Sequence, residues 1–425
     1  MRTPSRSRRR ADRLHSVTRS ATSLCVVVAL CAAGGASLRP EPLAERTVAA
    51  TQAEKTVTID GENYPNPLRL HDGEAVRTAA VWESTRRAEL LADFRQNVYG
   101  ESLPAPTAQT FDVTSTDLAR VTRKTVTITV TGPQGTGSFA VQVFVPKTGG
   151  KPKGTFLMID HRGQVGDDPD RSSGFAPVRT ITDAGYAFAS FDAGEIAPDD
   201  SGRYRTGMID LFHPADQELP DDAGRTISAW AWGASRAMDY LQTDPDLDPA
   251  TVAVIGHSRG GKAALWAGAQ DTRFAVAIPN NSGSTGTKLA RRGDGGVGAE
   301  TVARINDSFP HWFPPTYKAY GDRVDSLPVD QHELLALVAP RRVVVASATE
   351  DANADPEGEF LAYVGAAQVY ALYGLGDTGL PSPAWPPATD REFRGPAMSY
   401  HLRSGGHGLT AADWEIYLNG DLFAR

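Results

Sequence analysis

The spacing of apolar residues changes character along the chain. Over 75–95 (AVRTAAVWESTRRAELLADFR), Val81, Leu90, Leu91 and Phe94 recur at helical spacing and predict a helix. Over 126–130 and 139–145, apolar and polar residues alternate on either side of a Gly-rich link at 132–137, which predicts a hairpin or adjacent antiparallel strands. From 155 onward, short apolar runs take turns with longer helix-period stretches. The runs 156–159, 186–191, 252–255, 274–278, 342–347 and 398–402 predict strands. The stretches 224–241, the one ending near 270, 332–338, 359–372 and 413–423 predict helices. A short, continuous apolar run suits a strand buried on both faces. Its alternation with helices predicts a mostly parallel sheet covered on both sides, a three-layer α/β fold.

Other segments lack these periods. Seven Arg residues within 1–19 precede an apolar run over 24–33 that ends in small residues, the layout of a secretory signal, here expected over 1–36. The run is too short to span a membrane, and Val28-Ala29-Leu30-Cys31 is a poor lipoprotein box, so no membrane anchor is expected. Residues 37–62 predict a linker. Residues 63–425 are expected to form a single domain, with an N-terminal extension and a Gly-, Pro- and aromatic-rich insertion at 284–329.

Composition sharpens this picture in two ways. Both cysteines, Cys25 and Cys31, lie in the expected signal, so the exported chain is expected to have neither a disulfide nor a cysteine nucleophile. Losing the signal removes seven Arg and one Asp, moving the formal net charge from −8 to −14. So acidic a chain is a poor partner for nucleic acid, and an acidic substrate needs a local positive pocket.

The chemistry centres on Gly256-His257-Ser258-Arg259-Gly260, a G-x-S-x-G pattern between the strand at 252–255 and a helix. That context exposes a serine on a sharp strand-to-helix turn. The alternative is a Gly-rich turn whose serine only caps the helix. A serine hydroxyl needs a base within hydrogen-bonding reach. The candidate is His407, in the Gly-rich loop after the last predicted strand; His401 is its rival, read as part of that strand, and His257 is read as structural. The orienting acid is expected after the strand at 342–347, as Asp351 or, alternatively, Glu350; Asp355 is read as a helix cap. The backbone N–H and the side chain of Arg259, with the loop after 156–159, are candidate oxyanion donors.

These residues resemble the bacterial glucuronoyl esterases, carbohydrate esterase family fifteen. Gly256-His257-Ser258-Arg259-Gly260-Gly261-Lys262 carries the resemblance, with Pro279-Asn280-Asn281-Ser282-Gly283, Glu300-Thr301 and Phe309-Pro310-His311-Trp312-Phe313. Asp330-Gln331-His332, the run 334–341, Glu350-Asp351, Asp355-Pro356 and Gly406-His407 extend it over about 63–420. The resemblance implies a secreted α/β hydrolase without metal or cofactor, expected to act as a monomer. Its implied substrate is the ester between 4-O-methyl-glucuronic acid on plant cell-wall xylan and a lignin alcohol. It implies Ser258 as nucleophile, His407 as base, Arg259 at the oxyanion, and Lys262 and Glu300 at the sugar. Fungal members place their acid in the loop reading Asn280-Asn281-Ser282-Gly283 here, so Asp351 is expected to supply it. Where the family often has a Trp against the sugar this chain has Asn353, and Trp312 is the candidate replacement. An acetyl-xylan or related carbohydrate esterase is the alternative activity; a noncatalytic carbohydrate-binding relative is the alternative of another class.

Overall fold

The computed structural model describes residues 55–170 and 173–423, so the signal expected over 1–36 and the linker up to 54 lie outside the described residues. Twelve strands follow in chain order: β1 (Thr56–Ile59), β2 (Glu62–Pro65), β3 (Ala108–Asp117), β4 (Val121–Gly132), β5 (Gly135–Pro146), β6 (Thr155–Asp160), β7 (Ala187–Asp192), β8 (Val252–His257), β9 (Val276–Asn280), β10 (Arg342–Ala348), β11 (Arg391–Arg394) and β12 (Met398–Arg403). Ten form one sheet in the order β11-β12-β10-β9-β8-β6-β7-β5-β4-β3. The six from β12 to β7 are parallel, while β11 at one edge and the β5-β4-β3 meander at the other are antiparallel.

Alternation along the parallel strands divides the apolar residues between two cores. Leu157 and Ile159 of β6, Val252 and Val254 of β8, and Val343 and Val345 of β10 enter one core, which also receives Trp230 and Trp266 from the helices Thr226–Leu241 and Arg259–Gln270. Their neighbours Phe156, Met158, Ala253, Ile255, Val344 and Ala346 face the opposite core, closed by Val178 and Ile181 of the helix Val178–Asp183 and Trp414 and Tyr417 of the helix Ala411–Asn419. Helices on both faces of a parallel sheet give the expected three layers.

Several elements depart from expectation. The linker expected over 37–62 ends in structure: β1 pairs antiparallel with β2 around Asp60-Gly61, both at positive φ (50° and 82°), as a two-residue hairpin turn requires. The hairpin is held by buried Ile59 and Tyr64. The polar edge strand β3, mostly exposed, carried too weak an apolar pattern to predict. The helix expected over 75–95 begins at Ala79 and continues to Tyr99, with π-helical segments at Trp82–Arg86 and Arg95–Tyr99. No helix among the described residues is long and apolar enough to cross a membrane.

Candidate active site

Ser258 follows β8 at the centre of the sheet, with φ 56° and ψ −126°, a backbone conformation that strains any residue with a Cβ. The flanking glycines make the turn possible. A Cβ on Gly256 would stand 2.1 Å from the Gly260 carbonyl oxygen, and one on Gly260 would stand 3.0 Å from that of Ile159. Ser258 occupies the N-cap position of the helix Arg259–Gln270, yet its side chain makes no capping bond, so capping does not account for the serine. Arg259 is the first residue of that helix, where the N–H has no intrahelical acceptor.

His407 comes from the loop after β12, and its Nδ1 lies 2.7 Å from Asp351 Oδ2. Asp351 follows β10 and is buried. Burial works against its charge, but hydrogen bonds from His407, Asn281 and the Ala354 N–H hold its carboxyl below the usual range. An ionised carboxylate at this distance makes Nδ1 the proton-bearing nitrogen and leaves the lone pair on Nε2. Among the described residues Nε2 has no hydrogen-bond partner, and the His407 side chain is 39% exposed. Its ring lies 4.5 Å from that of His257, the residue before Ser258.

The rival residues stand elsewhere. Glu350 is exposed, and its side chain makes no hydrogen bond to His407. His401 is buried within β12, its Nε2 2.9 Å from Asp413 Oδ1. His257 lies 2.7 Å from Asn280 Oδ1 through Nδ1. Burial, and after it the nearby His407, push the His257 pKa down to about 3, so it is neutral at ordinary pH. Asp355 caps the helix Pro356–Ala371, accepting from the Gly358 N–H at 3.0 Å. The loop after β6 spends three N–H groups, those of Arg162, Gln164 and Val165, on the Asp160 carboxylate at 2.9, 2.6 and 2.8 Å. Those three are therefore not oxyanion donors.

The Arg259 guanidinium bonds Asp199 Oδ2 through Nη1 at 2.5 Å. It lies 4.7 Å from the Trp312 ring centre and 5.0 Å from that of Phe309, two rings stacked 3.7 Å apart. Near-equal distances to both rings put the guanidinium at the rim of the stack. Trp312 is only 2% exposed, with Phe309 on its face and its N–H given to Asp199 Oδ1 at 2.7 Å. The expected replacement platform therefore has no face open to a sugar ring, and Asn353 puts no aromatic ring in its place. Lys262 is buried rather than solvated. Its ammonium donates to the Ser282 carbonyl at 2.8 Å, to the Ser284 carbonyl and to Glu300 Oε2 at 3.0 Å, which accounts for its three protons.

Sequence reasoning missed two carboxylates. Asp199 lies on an acidic, Pro-containing segment after β7, where nothing in the pattern distinguishes it from Asp200. Glu359 is buried under the 281–287 loop, accepting from the Gly283 N–H at 2.8 Å, Thr287 Oγ1 at 2.6 Å and Ser347 Oγ at 2.7 Å. Among the described residues, no cluster of three or more His, Cys, Asp or Glu is arranged to hold a metal ion.

A hydroxyl on a strained turn, a carboxylate-paired imidazole and an adjacent guanidinium are the groups that acyl transfer needs. The family profile described as "Glucuronyl esterase, fungi" matches residues 128–374. The chain is 37% identical over 387 residues to carbohydrate esterase MZ0003 from an unknown prokaryotic organism, covering 83% of this chain and 88% of that protein. It is 29% identical to the 4-O-methyl-glucuronoyl methylesterase 1 of Wolfiporia cocos, covering 80% and 79%. Among solved structures, the glucuronoyl esterase from Solibacter usitatus superimposes with a TM-score of 0.77 at 35% identity, covering 86% of this chain and 99% of that one. A promiscuous esterase of carbohydrate esterase family 15 from a marine bacterial metagenome gives 0.75, also at 35% identity, covering 87% and 98%.

Proposed function

Because the chain belongs to the glucuronoyl esterases of carbohydrate esterase family fifteen, and is an α/β-hydrolase acting on carboxylic esters, we propose that it cleaves 4-O-methyl-glucuronate esters of plant cell-wall xylan through a serine acyl-enzyme. The observation that carries this reading is the 2.7 Å bond between His407 and buried Asp351, with the His407 ring 4.5 Å from that of His257, the neighbour of Ser258.

In this reading Ser258 Oγ attacks the ester carbonyl while His407 Nε2 takes its proton. Asp351 holds the imidazole in the required tautomer and stabilises the imidazolium. The oxygen that becomes negative accepts hydrogen bonds from the Arg259 N–H and guanidinium. Collapse breaks the bond to the alcohol oxygen, which leaves with the proton from His407. Water then attacks the acyl-enzyme by the same route, releasing glucuronate and restoring Ser258. Glu300 Oε1, without a partner among the described residues, serves as acceptor for a sugar hydroxyl, while Lys262, its protons committed to protein oxygens, fixes Glu300 from behind. The Arg-rich leader and the apolar run after it support export of the protein, and a lignin alcohol is the leaving group.

One observation favours a second reading, an acetyl-xylan or related carbohydrate esterase: Trp312 has no face open to a glucuronate ring, and Asn353 supplies no ring in its place. A side-by-side assay on benzyl glucuronate and acetylated xylan separates the two. Benzyl alcohol release well above acetate release supports glucuronate cleavage. Acetate release without glucuronate cleavage favours the second reading, and xylan binding without either turnover favours a noncatalytic carbohydrate binder.

A further inference from the structure

The Asp199 carboxylate joins three groups from two distant parts of the chain. Its Oδ2 accepts from Arg259 Nη1 at 2.5 Å, next to the nucleophile. Its Oδ1 accepts from Trp312 Nε1 at 2.7 Å and from His311 Nε2 at 2.8 Å, both in the 284–329 insertion. Trp312 and His311 are themselves buried. Burial disfavours the Asp199 charge, but these donors outweigh it and hold the carboxyl well below the usual range. The carboxylate and the rim of the Phe309–Trp312 stack thus confine the guanidinium. The Arg259 side chain nevertheless stays 29% exposed, so these contacts do not seal the whole guanidinium.

We propose that Asp199 is the positioning residue of the oxyanion site: anchored by Trp312 and His311, it holds Nη1 of the Arg259 guanidinium and so fixes the exposed part of that group for the oxygen that becomes negative on the substrate carbonyl. The proposal rests on the role given to Arg259 above. It turns the FPHWF segment of the insertion into a support for catalysis rather than a sugar platform. Because that oxygen is fully charged only near the transition state, loss of the anchor lowers kcat and leaves KM nearly unchanged. A carboxylate that only tied the insertion to the sheet would act on stability whether or not Arg259 was present.

A double-mutant cycle on the full chain, with benzyl glucuronate as substrate, separates these cases. Arg259→Ala is expected to lower kcat by about 10²-fold, the scale of losing one oxyanion donor. Asp199→Ala is expected to lower it by about 10-fold or more, with KM within about threefold, but by less than about twofold when Arg259→Ala is already present. An equal loss in both backgrounds, or wild-type turnover in Asp199→Ala, overturns the positioning role. Wild-type turnover in Arg259→Ala overturns the oxyanion reading itself, and this role with it. If Asp199→Ala does not fold, Asp199→Asn, of the same size and with one acceptor oxygen, goes through the same cycle with the same criteria.

Discussion

Asn281 Nδ2 donates to Asp351 Oδ2 at 2.9 Å, the same oxygen that accepts from His407 Nδ1 at 2.7 Å. Where the resemblance to fungal members leads one to expect the acid, this loop carries an amide, and that amide holds the carboxylate that follows β10. One carboxylate oxygen is thus fixed by two donors while the other takes the Ala354 N–H at 3.2 Å. Asn281→Ala removes a hydrogen bond to a charged acceptor, typically worth about 1.5–3 kcal/mol, part of which orients the acid. The expected result is a fall in kcat of about 10-fold at constant KM, read from steady-state kinetics on a glucuronate ester; an unchanged kcat would mean that Asp351 is held without the amide.

The two acids near His407 are expected to separate sharply. Asp351→Asn keeps the shape but holds His407 in the wrong tautomer, a change that costs on the order of 10⁴ in kcat in serine hydrolases built this way. Glu350→Gln, at an exposed side chain with no bond to His407, is expected to stay within about twofold of wild type. Measuring kcat for both variants under one condition checks the assignment, and the reverse ranking would transfer the role to Glu350.

The serine's backbone carries strain that glycine would relieve. A residue with a Cβ in a sparsely populated φ/ψ region costs about 1–3 kcal/mol, and glycine gives back less than 1 kcal/mol of that through its more mobile unfolded state. Ser258→Gly is therefore expected to unfold at a higher temperature than wild type, by about 1 kcal/mol in stability, while losing turnover. Gly256→Ala should do the reverse, because its Cβ meets the Gly260 carbonyl oxygen at 2.1 Å. Thermal unfolding monitored by circular dichroism reads both, and a destabilised Ser258→Gly would contradict the strain argument.

Glu359 links stability to pH. Burial, reinforced by the nearby Asp351 charge, raises its pKa from 4.5 to about 7 despite the Thr287, Gly283 and Ser347 hydrogen bonds. The folded protein therefore keeps this proton to a higher pH than the unfolded chain does. The group's contribution to stability falls as pH rises from about 4.5 to about 7 and stays low above that, a difference on the order of 3 kcal/mol. In Glu359→Gln the amide oxygen keeps the Gly283 and Thr287 bonds and the NH₂ faces Ser347. The variant is expected to match wild type near pH 4.5 and to exceed it above pH 7 in urea unfolding; parallel pH profiles would rule out the linkage.

Much of this was legible in the sequence, for identifiable reasons. The six parallel strands are short and apolar on both faces, so period alone located them, and β8 followed by G-x-S-x-G located Ser258. Chain order then indicated where His407 and Asp351 should fall. The β1–β2 hairpin escaped because each strand is four residues long and only Ile59 and Tyr64 enter the core, although Asp60-Gly61 carried a turn signal. The contribution of Asp199 is a tertiary event: three donors from two distant segments meet one carboxylate. Trp312 shows the same limit in reverse, since a sequence cannot distinguish an exposed ring from one stacked on Phe309.

Cleavage of a glucuronate ester by this chain requires Ser258 as the nucleophile. The most direct measurement is benzyl alcohol release from benzyl glucuronate by wild type and by Ser258→Ala, with thermal unfolding of both as a control for folding. The expected result is a folded variant whose turnover is reduced by about 10⁶-fold, the scale seen when a serine nucleophile is removed. A folded Ser258→Ala protein that still cleaves the ester within about 10-fold of wild type would contradict it.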